Sequence, residues 1–417
     1  MKRTSLKSLL HAARKLPGVA CFDTSFGVSI LTWGAGAAHT ESAGWQDFVR
    51  AETNANTNYG GIFSGGVVGW LGYEAGSSVE QMPFPVAPRA THDVCLWRTN
   101  GSIEIDHRTN ECTIHGSEDF RREAEDLFSV SRRTEPETNV ASTASTWRPD
   151  NHLAQSQRYT QGVKSILQSV RAGDVYQVNL AWEQADIPIR DAQQTWLHLR
   201  KANPALRGCY LRFENTEIVS NSPELFLHID PSSRRVTSVP IKGTAPTNGG
   251  EAAKLELLES TKEKAELTMI VDLVRNDLGR IAVPGSVTAS ERTIRQCGDI
   301  WHAEQTVSAV LGENVDAVDT VSASFPPGSV TGAPKVRAME VIHHLEQQPR
   351  GVYTGTLGWF ADGGGAHLNV AIRTATILNG NARFHVGAGI VADSQPAREW
   401  HETLVKAQAL AHSLDVL

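Results

Sequence analysis

Two features of the sequence predict an α+β fold. Strand-like segments follow one another as consecutive hairpins rather than in regular βαβ alternation, and long helical stretches stand apart from them at 260–279 and 396–414. The 417 residues also exceed one ordinary core, so two or three domains or one large intertwined unit is expected. With 40% hydrophobic and 20% charged residues, the chain has the composition of a packed globular protein.

The first twenty residues, MKRTSLKSLLHAARKLPGVA, are basic but lack the continuous apolar stretch of a secretory signal. They read as an amphipathic lead-in to the first domain. Short β-like pieces follow to about residue 130, including VSILTWGAG, GIFSGGVVGWLGYEAG, VCLWRT and CTIHG, set between Gly, Asn and Ser turns. SEDFRREAEDLF, 117–128, is predicted as a helix. The stretch 131–151 is rich in Ser, Thr, Pro and Asn with little to bury, and is the expected linker between an N-terminal region, 1–130, and a second domain, 152–417. Beyond it, TQGVKSILQSVRAGD reads as a helix ending near Gly173, and VYQVNLAWEQA as the next strand. GCYLRF, EIVSNS, LFLHID and RRVTSVPI look like an antiparallel meander.

Charge narrows the partners. Lys+Arg 39 against Asp+Glu 46 gives 39 − 46 = −7 with no basic block, so no nucleic-acid partner is expected. No apolar run approaches the ~20 residues that span a bilayer. Five scattered cysteines, none in a CxxC pair, fit a reducing compartment, and a cytoplasmic location is expected.

Two helices carry paired carboxylates. In STKEKAELTMIVDLVRNDLGR, Ser260 and Glu263 have capping-box spacing, Met269, Ile270, Leu273, Val274 and Leu278 form the buried stripe, and Gly279 ends the helix. Glu263 and Glu266 project from one side of its first turns. The last helix starts after ADSQP with Pro396 in its first turn; Glu399 and Glu402 are again three apart, with Lys406 one turn beyond. Taken singly, each pair has a plainer reading: a cap, acids favoured by the helix dipole, an i,i+4 ion pair. Converging on one point, the four would repel unless a cation joined them, and Mg²⁺ is the oxygen-seeking candidate.

FPPGSVTGAPKVRAMEVI, 325–342, is a loop feeding a helix from about Ala333, and HVGAGIVADSQP, 385–396, is a strand running into a Gly-Ala-Gly turn. Exposed N–H groups in such turns suit carboxylate or phosphate, although neither stretch matches a nucleotide-binding pattern and each alone reads as a plain turn. Tyr353 and Arg373 interrupt apolar surroundings; Arg373 is either a paired structural arginine or a bidentate carboxylate clamp. Glu224 follows a proline at a strand start, and Lys242 stands between Ile241 and Gly243. Lys242 is by default a solvated turn residue; walled in, its amine would be a nucleophile.

Together these segments resemble the chorismate-binding enzyme family, which includes anthranilate synthase component I, aminodeoxychorismate synthase component I, isochorismate synthase and salicylate synthase. The resemblance runs from about Arg158 to Ala411, through GDVYQVNLA, SPELFL, PIKGT, KEKAEL-MIVDLVRNDLGR, FPPGSVTGAPKVRAMEVI, AIRTATI and GAGIVADSQPAREWHETLVKA. The N-terminal part looks like the family's more variable region. The resemblance implies a two-sheet β-sandwich flanked by helices, with the active site between the sheets. In family members that add water to chorismate, a lysine stands where this chain has Gln177. Anthranilate synthases typically carry alanine in place of Lys242, and lysine there marks aminodeoxychorismate synthases. Gln177 with Lys242 therefore leans toward amination at C4. Anthranilate synthase component I is the alternative, and a non-catalytic regulatory homologue is the alternative of another class.

The resemblance also implies roles. Glu266 and Glu402, with Glu263 and Glu399 acting directly or through water, would hold Mg²⁺ against the ring carboxylate of chorismate. Tyr353, Arg373, Lys406 and the backbone of Gly387, Ala388 and Gly389 would hold carboxylates, with Thr244, His302 and Ser329 at further pocket positions. Lys242 would attack C2, assisted by Glu224 as general acid, before ammonia adds at C4. No G-x-C-x-G nucleophile with a downstream His-x-Glu is present, so a separate glutamine amidotransferase subunit is the expected ammonia source, and p-aminobenzoate, the folate precursor, would need another enzyme. Two positions depart from the family pattern: Thr247, where an arginine is usual, and Leu267, where His or Asn is common.

Overall fold

The structure is a computed structural model that describes residues 2–25, 27–34, 36–53, 59–80, 92–132 and 152–415. The expected linker lies outside the described residues from 133 to 151.

Two antiparallel sheets form the centre. Among the described residues the first has eleven strands, in the spatial order Lys2–Arg3, Glu111–Gly116, Gly101–Asp106, Val28–Trp33, Val19–Asp23, Arg207–Phe213, Thr216–Ser222, Thr374–Leu378, Asn381–Ile390, Gln177–Pro188 and Gly332–Ala333. The second has nine: Thr288–Ala289, Val307–Val310, Arg235–Val239, Leu225–Asp230, Ala366–Val370, Thr356–Ala361, Gly66–Leu71, Val94–Thr99 and Ala38–His39. A small third sheet joins Ile241–Pro246, Ile300–Glu304 and Thr293–Cys297. Residues before 132 thus supply strands to both large sheets: Val19–Asp23 pairs with Arg207–Phe213, and Gly66–Leu71 with Thr356–Ala361.

Strand alternation explains why so many strands are apolar on both faces. In Val19–Asp23, Ala20 and Phe22 meet Trp70, Trp97, Leu357 and Trp359 of the facing sheet. Val19 and Cys21 point the other way, into a core shared with Leu9, Phe128, Ile166, Trp196, Met339 and Trp400 on helices. A third core packs Trp45, Leu267, Val271 and Val321 of other helices against the outer face of the second sheet. The layers run helix, sheet, sheet, helix: the helix-flanked sandwich expected of the family. Leu267 is one of these buried contacts, which accounts for an apolar residue there.

Most helices match their sequence signals. Ser117 and Ser260 accept hydrogen bonds from the N–H groups of Phe120 and Glu263, opening helices Glu118–Ser131 and Thr261–Gly279. Helices also span Leu6–Ala12, His152–Ala172 and Pro396–Asp415. Three readings need correction. The helix of the 325–342 stretch starts at Lys335, not Ala333, because Gly332–Ala333 pairs as a strand with Gln177 and Val178. The Gly-Ala-Gly run is no turn: it continues strand Asn381–Ile390 in register with Asn179, Leu180 and Ala181. The expected meander is two hairpins in different sheets, since Thr216–Ser222 pairs onward with Thr374–Leu378 and Leu225–Asp230 with Ala366–Val370.

No helix among the described residues is long and apolar enough to cross a membrane.

Candidate active site

The break in the meander builds the site. Pro223 and Glu224 carry the chain from the first sheet to the second, and Ala371–Arg373 carries it back. The two crossings are stitched together: Val370 N donates to Glu224 O at 3.1 Å, Asn221 N to Arg373 O at 3.0 Å, and Ser222 Oγ to Val370 O at 2.6 Å. Arg373 has φ +49°, a left-handed conformation that turns the backbone sharply there. Both side chains face a cavity of about 440 Å³.

Lys242 reaches the same cavity from the third sheet. Its strand loses register with Ile300–Glu304 between Ile241 and Thr244, and the irregularity contains Lys242 and Gly243. The ammonium is half-buried and donates to Ser329 O at 3.1 Å. Loss of water lowers its pKa, partly offset by Glu224 and Glu266. Gly243 has φ +86°, and a Cβ there would come within 2.8 Å of the Glu263 carboxylate. Glycine is required there.

Glu224 is 4% exposed, and burial raises its carboxyl to about 7 despite the Ser329 hydroxyl, Lys242 and Arg207. A glutamic acid poised there is able to donate a proton near neutral pH. Ser329 is buried in the single 3₁₀ turn Gly328–Val330. Thr244 and His302 face each other across the third sheet. The His302 ring is buried, both nitrogens lack protein partners, and its pKa falls to about 3 through burial and Arg373, so it is neutral. Arg373 itself makes no ion pair with any described carboxylate, and burial lowers its pKa. Tyr353 stacks on His385 at 5.4 Å between ring centres, and burial raises its pKa.

The four glutamates line the same cavity from two helix starts. Burial, then mutual repulsion, raises Glu266, although Lys242 works against both; burial and Glu402 likewise raise Glu399 against a Ser394 hydrogen bond. At Glu402 burial is outweighed by Lys406, 2.7 Å away, so its pKa is lowered. Lys406 also donates to Gly387 O at 3.4 Å. Among the described residues no three acidic, histidine or cysteine side chains close on one point as a ready metal cage. The donor set is nevertheless all oxygen, crowded and negative, and it suits a hard cation that keeps several waters and binds one or two carboxylates.

The cavity thus gathers Lys242, Glu224, Thr244, His302, Ser329, Tyr353, Arg373, Gly387, Gly389, Lys406 and the four glutamates. Ala388 is the exception: strand alternation turns its side chain into the helix-side core. Gln177 lies just behind the wall, with its amide 3.1 Å from where a Cβ on Gly389 would stand. Sequence reasoning missed Lys262, Asn179 and His385. Lys262 was accessible from its i,i+4 spacing to Glu266, 3.7 Å away, and Asn179 from sharing a strand face with Gln177. Burial would lower Lys262, but the four glutamates hold its pKa above the usual value. His385 gave no sequence signal.

Comparison with known proteins agrees with this geometry. The family described as chorismate binding enzyme matches residues 25–412. Aminodeoxychorismate synthase component 1 of Escherichia coli is 35% identical over 88% of this chain and 80% of its own. An anthranilate synthase component 1 of Haloarcula marismortui is 34% identical over 84% of this chain and 73% of its own. The crystal structure of anthranilate synthase component I from Streptococcus pneumoniae superposes with a TM-score of 0.81 at 27% identity, covering 92% of each chain. A matched profile along nearly the whole chain, and a cavity where the motif residues of distant segments meet between the sheets, make this chain a member of the chorismate-binding enzyme family, acting on chorismate.

Proposed function

We propose that the chain is an aminodeoxychorismate synthase component I, converting chorismate and ammonia to 4-amino-4-deoxychorismate. One observation carries this reading: a half-buried amine of lowered pKa, Lys242, shares the cavity with a glutamic acid whose pKa is raised to about 7. The two shifts suit a nucleophile and a general acid. In the proposed reaction the Lys242 nitrogen bonds to C2, the two conjugated ring double bonds shift to C1=C6 and C4=C5, and the C4–O bond breaks. The Glu224 proton leaves with the hydroxyl as water. Ammonia then bonds to C4, both double bonds shift back, and the C2–N bond breaks to release the Lys242 amine. Thr244, Ser329 and His302 border the reacting end of the cavity; Tyr353, Arg373 and the Gly387–Gly389 edge serve the carboxylates.

Magnesium would be held by Glu266 and Glu402, with Glu263 and Glu399 directly or through water, and would supply positive charge to the ring carboxylate. Lys262 and Lys406 compensate part of the four negative charges when the metal is absent. A glutamine amidotransferase subunit is proposed to supply ammonia, in keeping with the name component 1 borne by relatives, and a cytoplasmic location in folate synthesis follows from the same reading.

The test is direct. Chorismate, Mg²⁺ and an ammonium salt are incubated with the purified protein. A product that a lyase converts to p-aminobenzoate supports the proposal. Fluorescent anthranilate with pyruvate release assigns the chain to the anthranilate synthases instead.

A further inference from the structure

Beneath the cavity lies a buried charge pair that the reaction does not use. Arg350 is 2% exposed and Glu346 5%. Arg350 Nε and Nη2 meet the Glu346 carboxylate at 2.9 and 2.7 Å, a two-pronged pairing. The remaining donors of the same guanidinium go to the backbone of two cavity-lining residues and to the neighbour of Tyr353: Nη2 to Asn179 O at 2.7 Å, Nη1 to Val330 O at 3.1 Å and to Thr354 Oγ1 at 3.1 Å. Its Cζ lies 5.7 Å from the Tyr353 ring centre. Glu346 in turn accepts from Ala181 N at 2.8 Å, two residues beyond Asn179.

Asn179 is therefore clamped at its own carbonyl, while its N–H donates to Thr331 O at 2.8 Å. Its side chain is 6% exposed and lines the cavity. The amide lies against the Tyr353 hydroxyl, yet no protein acceptor completes a hydrogen bond with Nδ2. A buried amide donor left open costs stability unless a ligand meets it. Around it stand Tyr353, Gly387 and Gly389, with Asn179 paired in register to Gly389. This quarter of the cavity offers neutral donors, and the substrate is a dicarboxylate.

We propose that Asn179 is a substrate-binding residue, its Nδ2 donating to a carboxylate oxygen of chorismate, and that Arg350 is the positioning residue that holds it in place. The inference rests on the chorismate reading of the cavity and adds two residues to it.

Equilibrium dialysis of chorismate against the full chain, with Mg²⁺ and without ammonia, tests it. Asn179→Ala is expected to weaken binding roughly 10- to 100-fold, the effect of one hydrogen bond to a charged group. Asn179→Asp, of nearly equal volume, is expected to bind no better than Asn179→Ala, because a donor is replaced by a negative charge. Arg350→Lys keeps a charge for Glu346 but loses the fork, and its effect should be non-additive with Asn179→Ala in the double variant. If Arg350→Lys does not fold, Thr354→Val, which removes one of the guanidinium's partners, takes its place in the cycle. Wild-type affinity in Asn179→Ala overturns the binding role, and full additivity overturns the positioning role. Failure of the unaltered protein to bind chorismate is a different result: it removes the substrate reading first.

Discussion

Replacing Glu224 by glutamine should move activity and stability in opposite directions. The carboxyl is 4% exposed, and burial lifts it from an ordinary 4.5 to about 7. At pH 7 about half of the molecules then carry the proton, against roughly three in a thousand at the ordinary value. Glu224→Gln keeps the shape but has no proton to give, so kcat should fall by about 10²- to 10⁴-fold. The wild-type rate should also decline as pH rises through about 7, and that limb should vanish in the variant. Stability follows from linkage. A carboxyl whose folded pKa is raised contributes stability that is fully present below about 4.5 and is lost as pH rises through about 7. The interval corresponds to at most ~3 kcal/mol. Urea denaturation at pH 5 and pH 8 should therefore show wild-type protein losing up to that amount, while Glu224→Gln does not lose it. A variant whose kcat stays within tenfold of wild type refutes the acid role. An unchanged stability difference between the two pH values refutes the burial argument behind it.

Removing the Lys242 amine by Lys242→Ala should abolish the 4-amino product while leaving the fold, since that side chain makes a single hydrogen bond at 3.1 Å; product analysis by chromatography checks it, and undiminished synthesis rejects the covalent role. Glu266→Gln and Glu402→Gln should each weaken binding of Mn²⁺, read by its spin resonance without substrate, by at least the roughly 10–100-fold that outer-shell partners of a metal cost. Gly387→Ala would press a Cβ to 2.6 Å from Leu180 O and 2.8 Å from the Tyr353 hydroxyl. It should destabilise the protein by about 1–3 kcal/mol and raise KM more than it lowers kcat, which thermal melts and steady-state kinetics separate.

Local chemistry made the helices legible. The cap at Ser260, the stripe through Ile270 and Leu278 and the acids of the first turn all belong to one segment, and they describe Thr261–Gly279 almost to the residue. The strands were legible too, but their sheet was not. Thr216–Ser222 and Leu225–Asp230 are separated by two residues and resemble a hairpin, yet they lie in opposite layers. Nothing within that segment distinguishes a turn from a crossing. What decides it is the pairing of each strand with residues some 150 positions away, Thr374–Leu378 and Ala366–Val370. The Gly-Ala-Gly run was misread for a related reason. Glycine suggests a turn when seen alone, whereas here it clears space for Tyr353 and Gln177 beside a continuous strand. Lys242, Glu224 and Arg373, which line the cavity, stand out in the sequence as charged residues in apolar surroundings, whereas Asn179 does not, because an asparagine in an apolar strand declares no reaction.

The N-terminal region, expected to be the more variable part of the chain, contacts the loop that leads into Tyr353 of the cavity. Glu74, buried in the GWLGYEAG segment, accepts from the N–H groups of Arg350 and Gly351 at 2.6 and 2.8 Å, and the Tyr73 ring centre lies 4.8 Å from the Arg350 guanidinium. The loop leading into Tyr353 is thus held by residues that precede the segments carrying the catalytic motifs. Glu74→Ala leaves two buried donors without these acceptors, at a cost of about 1–3 kcal/mol each. Because the same loop sets Arg350 beneath Asn179, Tyr353 and Val330, the loss should appear in substrate affinity as well as in melting temperature. KM for chorismate is expected to rise severalfold with kcat less affected, since Lys242 and Glu224 are anchored independently on the third sheet and the sheet crossing. A lowered melting temperature with unchanged KM would show that the bonds from Arg350 to Asn179 and Val330 suffice without Glu74, and that the N-terminal region stabilises the sandwich without tuning its site.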